Sequence, residues 1–201
     1  MSMRRLLELG GVIAGIVLIG FGIGALVMSF DARSTTRDEL QQENIVGSPD
    51  MSPEGIQAGI EEAGLEDVDV PSCDVAEEPV ETGADARCFS QYLRIHALES
   101  SGGLTYAEMG RFVAADDPEN PAGTSDEEAA LVDEEGQPVA NARRNTWVTA
   151  TALSTALNVS YMAERLALFG IVVGIALILA GIGFIILALG GALRRQAAPA
   201  A

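Results

Sequence analysis

Lysine is missing from this chain altogether; histidine and tryptophan each occur once, and cysteine twice. Each scarcity excludes something. One histidine, His96, cannot supply the two or three histidines on which a mononuclear iron or zinc enzyme usually relies. Two cysteines without further ligands do not make a zinc site, and Cys88 with Cys73 close by in sequence is unsuited to act with His96 as a nucleophile. Positive charge is sparse as well: 12 arginines stand against 29 acidic residues, a formal net charge of −17. Such a chain repels nucleic acid and anionic lipid headgroups. The expectation is therefore no catalytic residue, no metal and no cofactor, with His96 structural at the edge of a helix face.

What the chain has in quantity is uncharged apolar sequence. Leu9 to Met28 and Leu166 to Leu189 are runs of twenty and twenty-four residues without a charge. At about 1.5 Å per residue each reaches roughly 30 Å or more, the hydrocarbon thickness of a bilayer. MSMRR ahead of the first run looks like the basic region of a signal peptide. The apolar part is longer than a signal peptide needs, however, and no A-x-A-like cleavage site follows, so an uncleaved anchor is expected. Neither run carries an ionisable residue, which excludes a proton relay or voltage sensor inside the membrane.

Between the runs, residues 30–165 hold 28 acidic residues against 8 arginines, a formal −20. Arg4, Arg5, Arg194 and Arg195 flank the runs on one side, Arg33, Arg37 and Arg165 on the other, a slight bias under the positive-inside rule. The cysteines decide the orientation. Cys73 and Cys88 are an isolated pair in the acidic segment; they fit a disulfide, and a disulfide needs an oxidising compartment. The expected organisation is a cytoplasmic N-terminus (1–8), a first span (9–29), an acidic extracytoplasmic helical domain with one disulfide (30–165), a second span (166–190) and a cytoplasmic tail (191–201). The protein is then a multi-pass cell-membrane protein with both termini cytoplasmic.

Within the acidic segment, residues 30–46 read as a polar continuation of the first helix, broken at Gly47, Ser48 and Pro49. Ser52-Pro53-Glu54 opens a short helix that Gly64 ends. Residues 65–86 alternate in part, but Pro71 and Pro79 limit them to a short edge strand or loop. Thr82 or Asp85 caps a helix ending at Gly102-Gly103, and Thr105 caps a second one, TYAEMGRFV. Phe89, Tyr92, Leu93, Tyr106, Met109 and Phe112 then form the structural core of a helix–Gly-Gly–helix hairpin. Residues 114–137 read as a solvated acidic loop; its clusters at Asp116, Asp126 and Asp133 lack the spacing of a calcium loop. From about Asn141 one helix of some fifty residues runs into the second span. Small residues four apart, Gly11/Gly15, Gly20/Gly24, Gly170/Gly174 and Ala176/Ala180, mark faces for close helix packing. Asn158-Val-Ser160 matches a glycosylation sequon by pattern.

Three segments taken in order, RDELQQENIVGSPDMSP, RCFSQYLRIHALESSGGLTYAEMGR and NTWVTATALSTALNVSYMAE, resemble a family of uncharacterised two-span membrane proteins of actinobacteria. The resemblance covers nearly the whole chain and implies a GC-rich genome as the reason for the missing lysines. Some members of that family carry the label aromatic ring-opening dioxygenase, which needs iron ligands that one histidine does not supply. The fold expected is predominantly α: two transmembrane helices with long extramembrane extensions and a small helical extracytoplasmic domain. The function expected is that of a non-enzymatic envelope interaction or accessory protein. Its partners would be membrane lipid and a second copy or another membrane protein, with no nucleic acid. The alternatives are a ligand-binding or sensor module with a pocket between the hairpin and the membrane-proximal helices, and an enzyme using Glu99 or Glu108 with Arg111.

Overall fold

The computed structural model describes residues 3–190, with side chains from residue 5. Residues 191–201 with Arg194 and Arg195, residues 1–2 and the side chain of Arg4 lie outside the described residues. The described chain is predominantly helical, with α1 (Met3–Gln42), α2 (Gly55–Glu62), α3 (Gly83–Ser101) and α4 (Ala142–Leu189), and no strand among the described residues. By length and composition α1 and α4 are each apolar enough to cross a membrane. The chain divides into two compact units, one of residues up to Thr35 with those from Ala163, the other Thr36–Met162.

In the first unit α1 and α4 pack antiparallel through their smallest residues. The buried positions on α1 are Gly15, Gly22 and Ser29; on α4 they are Ala167, Gly174, Gly181 and Ala188. Both sets repeat every seven residues, the period at which one helix face keeps meeting a partner. The approach is backbone to backbone. A Cβ added at Gly22 would lie 2.7 Å from the carbonyl oxygen of Gly174, and one at Gly15 would lie 2.6 Å from that of Gly181. Arg33 Nε donates to Glu164 Oε1 at 2.9 Å near the end of the same pair. Of the four small-residue pairs expected from sequence, Gly11/Gly15 and Gly170/Gly174 face the partner helix. Gly20 and Gly24 meet nothing within 4 Å, and Ala176 and Ala180 are exposed. An interval of four fixes a face but not which face the partner occupies, and here the seven-residue repeat sets the phase.

The second unit is built on α3. Thr82 accepts from the backbone N–H of Asp85, and the Asp85 carboxylate accepts from the Thr82 N–H at 2.9 Å, a reciprocal capping box. Gly102, at φ +63°, closes the other end. One face of α3 carries Ala86, Phe89, Tyr92 and Ile95 into a core with Ile56 and Ile60 of α2, Met51, Val75, Val80, Leu40 and Leu157. Tyr92 is fully buried, and its hydroxyl donates to the Cys73 carbonyl at 2.6 Å. Burial, with the negative charges of Asp74 and Glu54, holds the Tyr92 phenol above its ordinary pKa. The Cys73 and Cys88 sulfurs lie at disulfide distance, 2.11 Å, with 6.0 Å between the Cα atoms. This staple ties the proline-bearing segment to the start of α3. That segment forms only the isolated bridges Val46–Pro79 and Gly47–Ala76, because Pro71 and Pro79 have no N–H to extend a ladder.

The expected second helix of the hairpin is not there. Thr105 and Glu108 do make the cap its sequence advertises: Thr105 N–H and Oγ donate to Glu108 Oε2 at 2.8 and 2.7 Å. These bonds hold the Glu108 carboxyl below its ordinary pKa. The turn goes no further, because the Gly110 N–H turns to the Ala122 carbonyl (2.6 Å) and Phe112 exchanges both backbone bonds with Thr124. A side chain at Gly110 would collide with the Thr124 backbone, so glycine permits this crossing. Residues 114–137 are a largely exposed acidic loop, as expected, tied down by isolated bridges: Phe112 also pairs with Ala140, and Ala114 with Ala130. The hairpin core changes accordingly. Phe89 and Tyr92 are buried in the α2/α3 core, Met109 packs with Ala97, Trp147 and Ala150, and Leu93, half-buried, touches both groups. Phe112 is half-buried in a bridge, and Tyr106 is 43% exposed with the Arg144 guanidinium 3.9 Å from its ring centre. The short helix begins at Gly55 rather than at Pro53, although the Ser52 hydroxyl does accept from the Gly55 N–H at 3.0 Å.

Two predictions follow from this packing. Phe89→Ala removes a buried ring and leaves a cavity, costing about 3–5 kcal/mol, whereas Tyr106→Ala loses an exposed ring and one cation–π contact, about 1 kcal/mol. Chemical denaturation of the detergent-solubilised protein, followed by circular dichroism, measures both. Gly22→Val drives a side chain into the α4 backbone and destabilises the helix pair by about 1–3 kcal/mol, while Gly20→Val enters open space and leaves it intact. Thermal melting of the two variants side by side separates them.

Candidate functional site

The second unit contains a half-open groove between α3 and the part of α4 from Trp147 to Met162, with a volume of about 420 Å³. Helical spacing builds it. Arg87, Ser90, Gln91, Arg94 and Ala97 recur on one face of α3; Trp147, Ala150, Thr151, Ser154, Thr155, Asn158, Val159 and Met162 recur on one face of α4. Asn158 joins the two helices. Its Nδ2 donates to Ser90 Oγ (3.2 Å) and to the Ser154 carbonyl (2.7 Å), and its Oδ1 accepts from Arg87 Nη1 (3.0 Å). Ser90 in turn donates to the Arg87 carbonyl at 2.8 Å. With its amide thus engaged, Asn158 is a structural bracket, whatever its sequon suggests. Thr155 bonds the Thr151 carbonyl at 2.8 Å, so its hydroxyl too is held by the backbone.

Two aromatic rings hold the two arginines. The Arg87 guanidinium lies over Tyr161 at 5.2 Å and that of Arg94 over Trp147 at 5.5 Å. No acidic residue lines the groove. The result is a mainly apolar trough with a cation toward each end, a combination suited to binding rather than to proton or group transfer.

His96 lies elsewhere on α3. Its Nδ1 meets Glu99 Oε2 at 2.9 Å, while its Nε2 is buried without a hydrogen bond, 3.6 Å from Asp50 Oδ2 in the turn before α2. Among the described residues no group of three or more His, Cys, Asp or Glu could hold a metal ion. The acidic clusters serve their own turns. Asp126 accepts from the Glu128 N–H, and Asp133 from the N–H groups of Glu135 and Gln137. Glu99, Glu108 and Arg111 are likewise occupied locally, by His96, by Thr105, and by the Ser125 carbonyl with the Phe112 ring.

Sequence reasoning placed a pocket between the hairpin and the membrane-proximal helices; of the residues that line this groove it singled out Asn158, and that one as a sequon. Arg87 and Arg94 look like solvated charges on an exposed stripe until α3 is seen against α4. The signal that could have found them is their seven-residue spacing on α3 beside a small-residue stripe at Ser90 and Ala97.

No family model, no curated protein and no solved structure matches this chain, so its geometry alone carries the functional reading.

Proposed function

We propose that this is a two-span integral membrane protein of the cell envelope, akin to the actinobacterial proteins it resembles. Both termini are cytoplasmic, and the second unit is an extracytoplasmic, non-enzymatic interaction module. The observation that carries the reading is where the apolar surface faces. Only 11% of the most apolar window of α1 and 17% of that of α4 are buried. A core helix of a soluble protein would be mostly covered; these keep Phe21, Val27, Met28, Phe169, Leu179 and Leu187 exposed. Lipid is the solvent that such surfaces fit. The small-residue seam supports an anchor over a cleaved leader, since removing the first helix would strip α4 of its partner. The Cys73–Cys88 pair supports an oxidising side for the second unit.

A second reading, favoured by the α3/α4 groove, makes this module a ligand-binding one. It combines a volume within the roughly 300–1,000 Å³ range of small-molecule sites with a few converging polar groups. That Glu99, Glu108 and Arg111 each bond a different neighbour supports the non-enzymatic reading over an enzyme that uses them together.

Topology is tested with single reporter cysteines and a membrane-impermeant thiol reagent on intact cells, the native pair remaining oxidised. Ser125→Cys is expected to react and Arg5→Cys to react only after permeabilisation. The reverse pattern inverts the orientation, and labelling of both in intact cells removes the two-span topology.

A further inference from the structure

We propose that the α3/α4 groove binds a small amphipathic anion, a soluble organic carboxylate or phosphate with an apolar body. The proposal rests on the ligand-binding reading of the module. Residues 30–165 hold 28 carboxylates against 8 arginines, yet Arg111, Arg143 and Arg144 bond carbonyls or lie over rings instead of meeting a carboxylate. Arg87 and Arg94 likewise have no carboxylate partner among the described residues; what sets them apart is that the two share one groove and no acid lines it. Each guanidinium is anchored instead by an aromatic ring, which positions a cation without neutralising it. Arg87 has one donor committed to Asn158; Arg94 donates no hydrogen bond among the described residues.

Seven residues apart on α3, the two arginines are separated by two turns, roughly 10 Å along the axis. Between them the groove is walled by the short side chains of Ser90, Ala150, Thr151, Ser154 and Thr155, with Trp147 beside Arg94 at one end and Met162 at the other. The groove surface is mainly apolar, so an occupant must offer negative charge to an end of it and a slim, largely apolar body to the rest. Its size is set by the volume of about 420 Å³. Charge decides between a small occupant and a large one. An acidic protein segment or an anionic membrane surface would meet the strongly negative field of the whole segment as it approached. A small anion carries one or two charges, and at physiological salt that field is screened beyond about 8 Å, so the two local arginines dominate its binding.

Trp147 is the only tryptophan in the chain and forms part of the groove wall, so its fluorescence reports occupancy directly. The full chain in nanodiscs of zwitterionic lipid is titrated with octanoate, with the neutral isostere octanamide and with the cationic octylamine. The expected result is a saturable change of Trp147 emission with octanoate, weakened by salt, and at least about tenfold weaker binding of octanamide and octylamine. Arg94→Gln and Arg87→Gln should each weaken octanoate by about tenfold, with Arg94→Lys recovering part of the loss. The comparison of isosteres on the native chain stands whether or not these variants fold. Equal binding of octanoate and octanamide would overturn the anion assignment while leaving the ligand-binding module intact. No saturable response to any of the three would remove both. A response only to discs of anionic lipid, or only to poly-glutamate, would give the groove a macromolecular occupant and overturn the proposal.

Discussion

The contact on which the rest depends is the approach of two helix backbones at Gly15–Gly181 and Gly22–Gly174. Apolar helices in lipid gain nothing from hydrophobic burial against each other, so close van der Waals contact has to hold them together. Glycine at the seam allows that approach, and Ser29, Ala167 and Ala188 extend it in both directions. Ile19, Leu26, Ile178 and Ile185 pack against the glycines of the opposite helix, and many of the remaining Leu, Ile, Val and Phe side chains of α1 and α4 are exposed. A seven-residue repeat of small residues thus sets the pairing of the helices.

In the second unit a different economy applies. Large apolar residues are few, so stability is concentrated on α3: its capping box, its Phe89–Tyr92–Ile95 face and the disulfide beside them. A disulfide closing a loop of this length contributes about 3 kcal/mol in the chain-entropy model, a sizeable share of a typical total of about 5–15 kcal/mol. With one face of α3 committed to the core, the stripe Arg87, Ser90, Gln91, Arg94 and Ala97 is left to form the groove with Trp147 and Ala150 of α4. The bridged segment from Gly110 to Asn141 is pinned by Asn141, whose buried amide donates to the Gly110 and Pro121 carbonyls just before α4 begins.

The helices were legible where local chemistry decides them. Uncharged runs of twenty residues, the Thr82–Asp85 cap and the Gly102 stop are all short-range signals, and each helix they mark is present. Illegible features are those that long-range partners decide. Thr105 and Glu108 carry a true capping signature, yet Ala122 and Thr124 draw Gly110 and Phe112 away and no helix follows. Gly20 and Gly24 have the spacing of a packing face, yet the partner helix lies against Gly15 and Gly22. Of the groove, Asn158 was singled out only as a sequon, while Arg87 and Arg94 were two charges among many. Their meaning comes from the absence of acid around them, which sequence order does not disclose.

α1 and α4 pair through this seam, and the proposed membrane setting requires their outward-facing large side chains to meet lipid. This arrangement is tested most directly by nitroxide labels placed one at a time along residues 15–29 of the protein in vesicles, measuring collision with oxygen and with a water-soluble relaxation agent. The account predicts that oxygen reaches Phe21, Gly24 and Met28 freely, that Gly15, Gly22 and Ser29 are occluded, and that the water-soluble agent reaches none of the central positions. Free access of the water-soluble agent to Phe21 and Gly24, or oxygen access without a seven-residue repeat of minima, would contradict it.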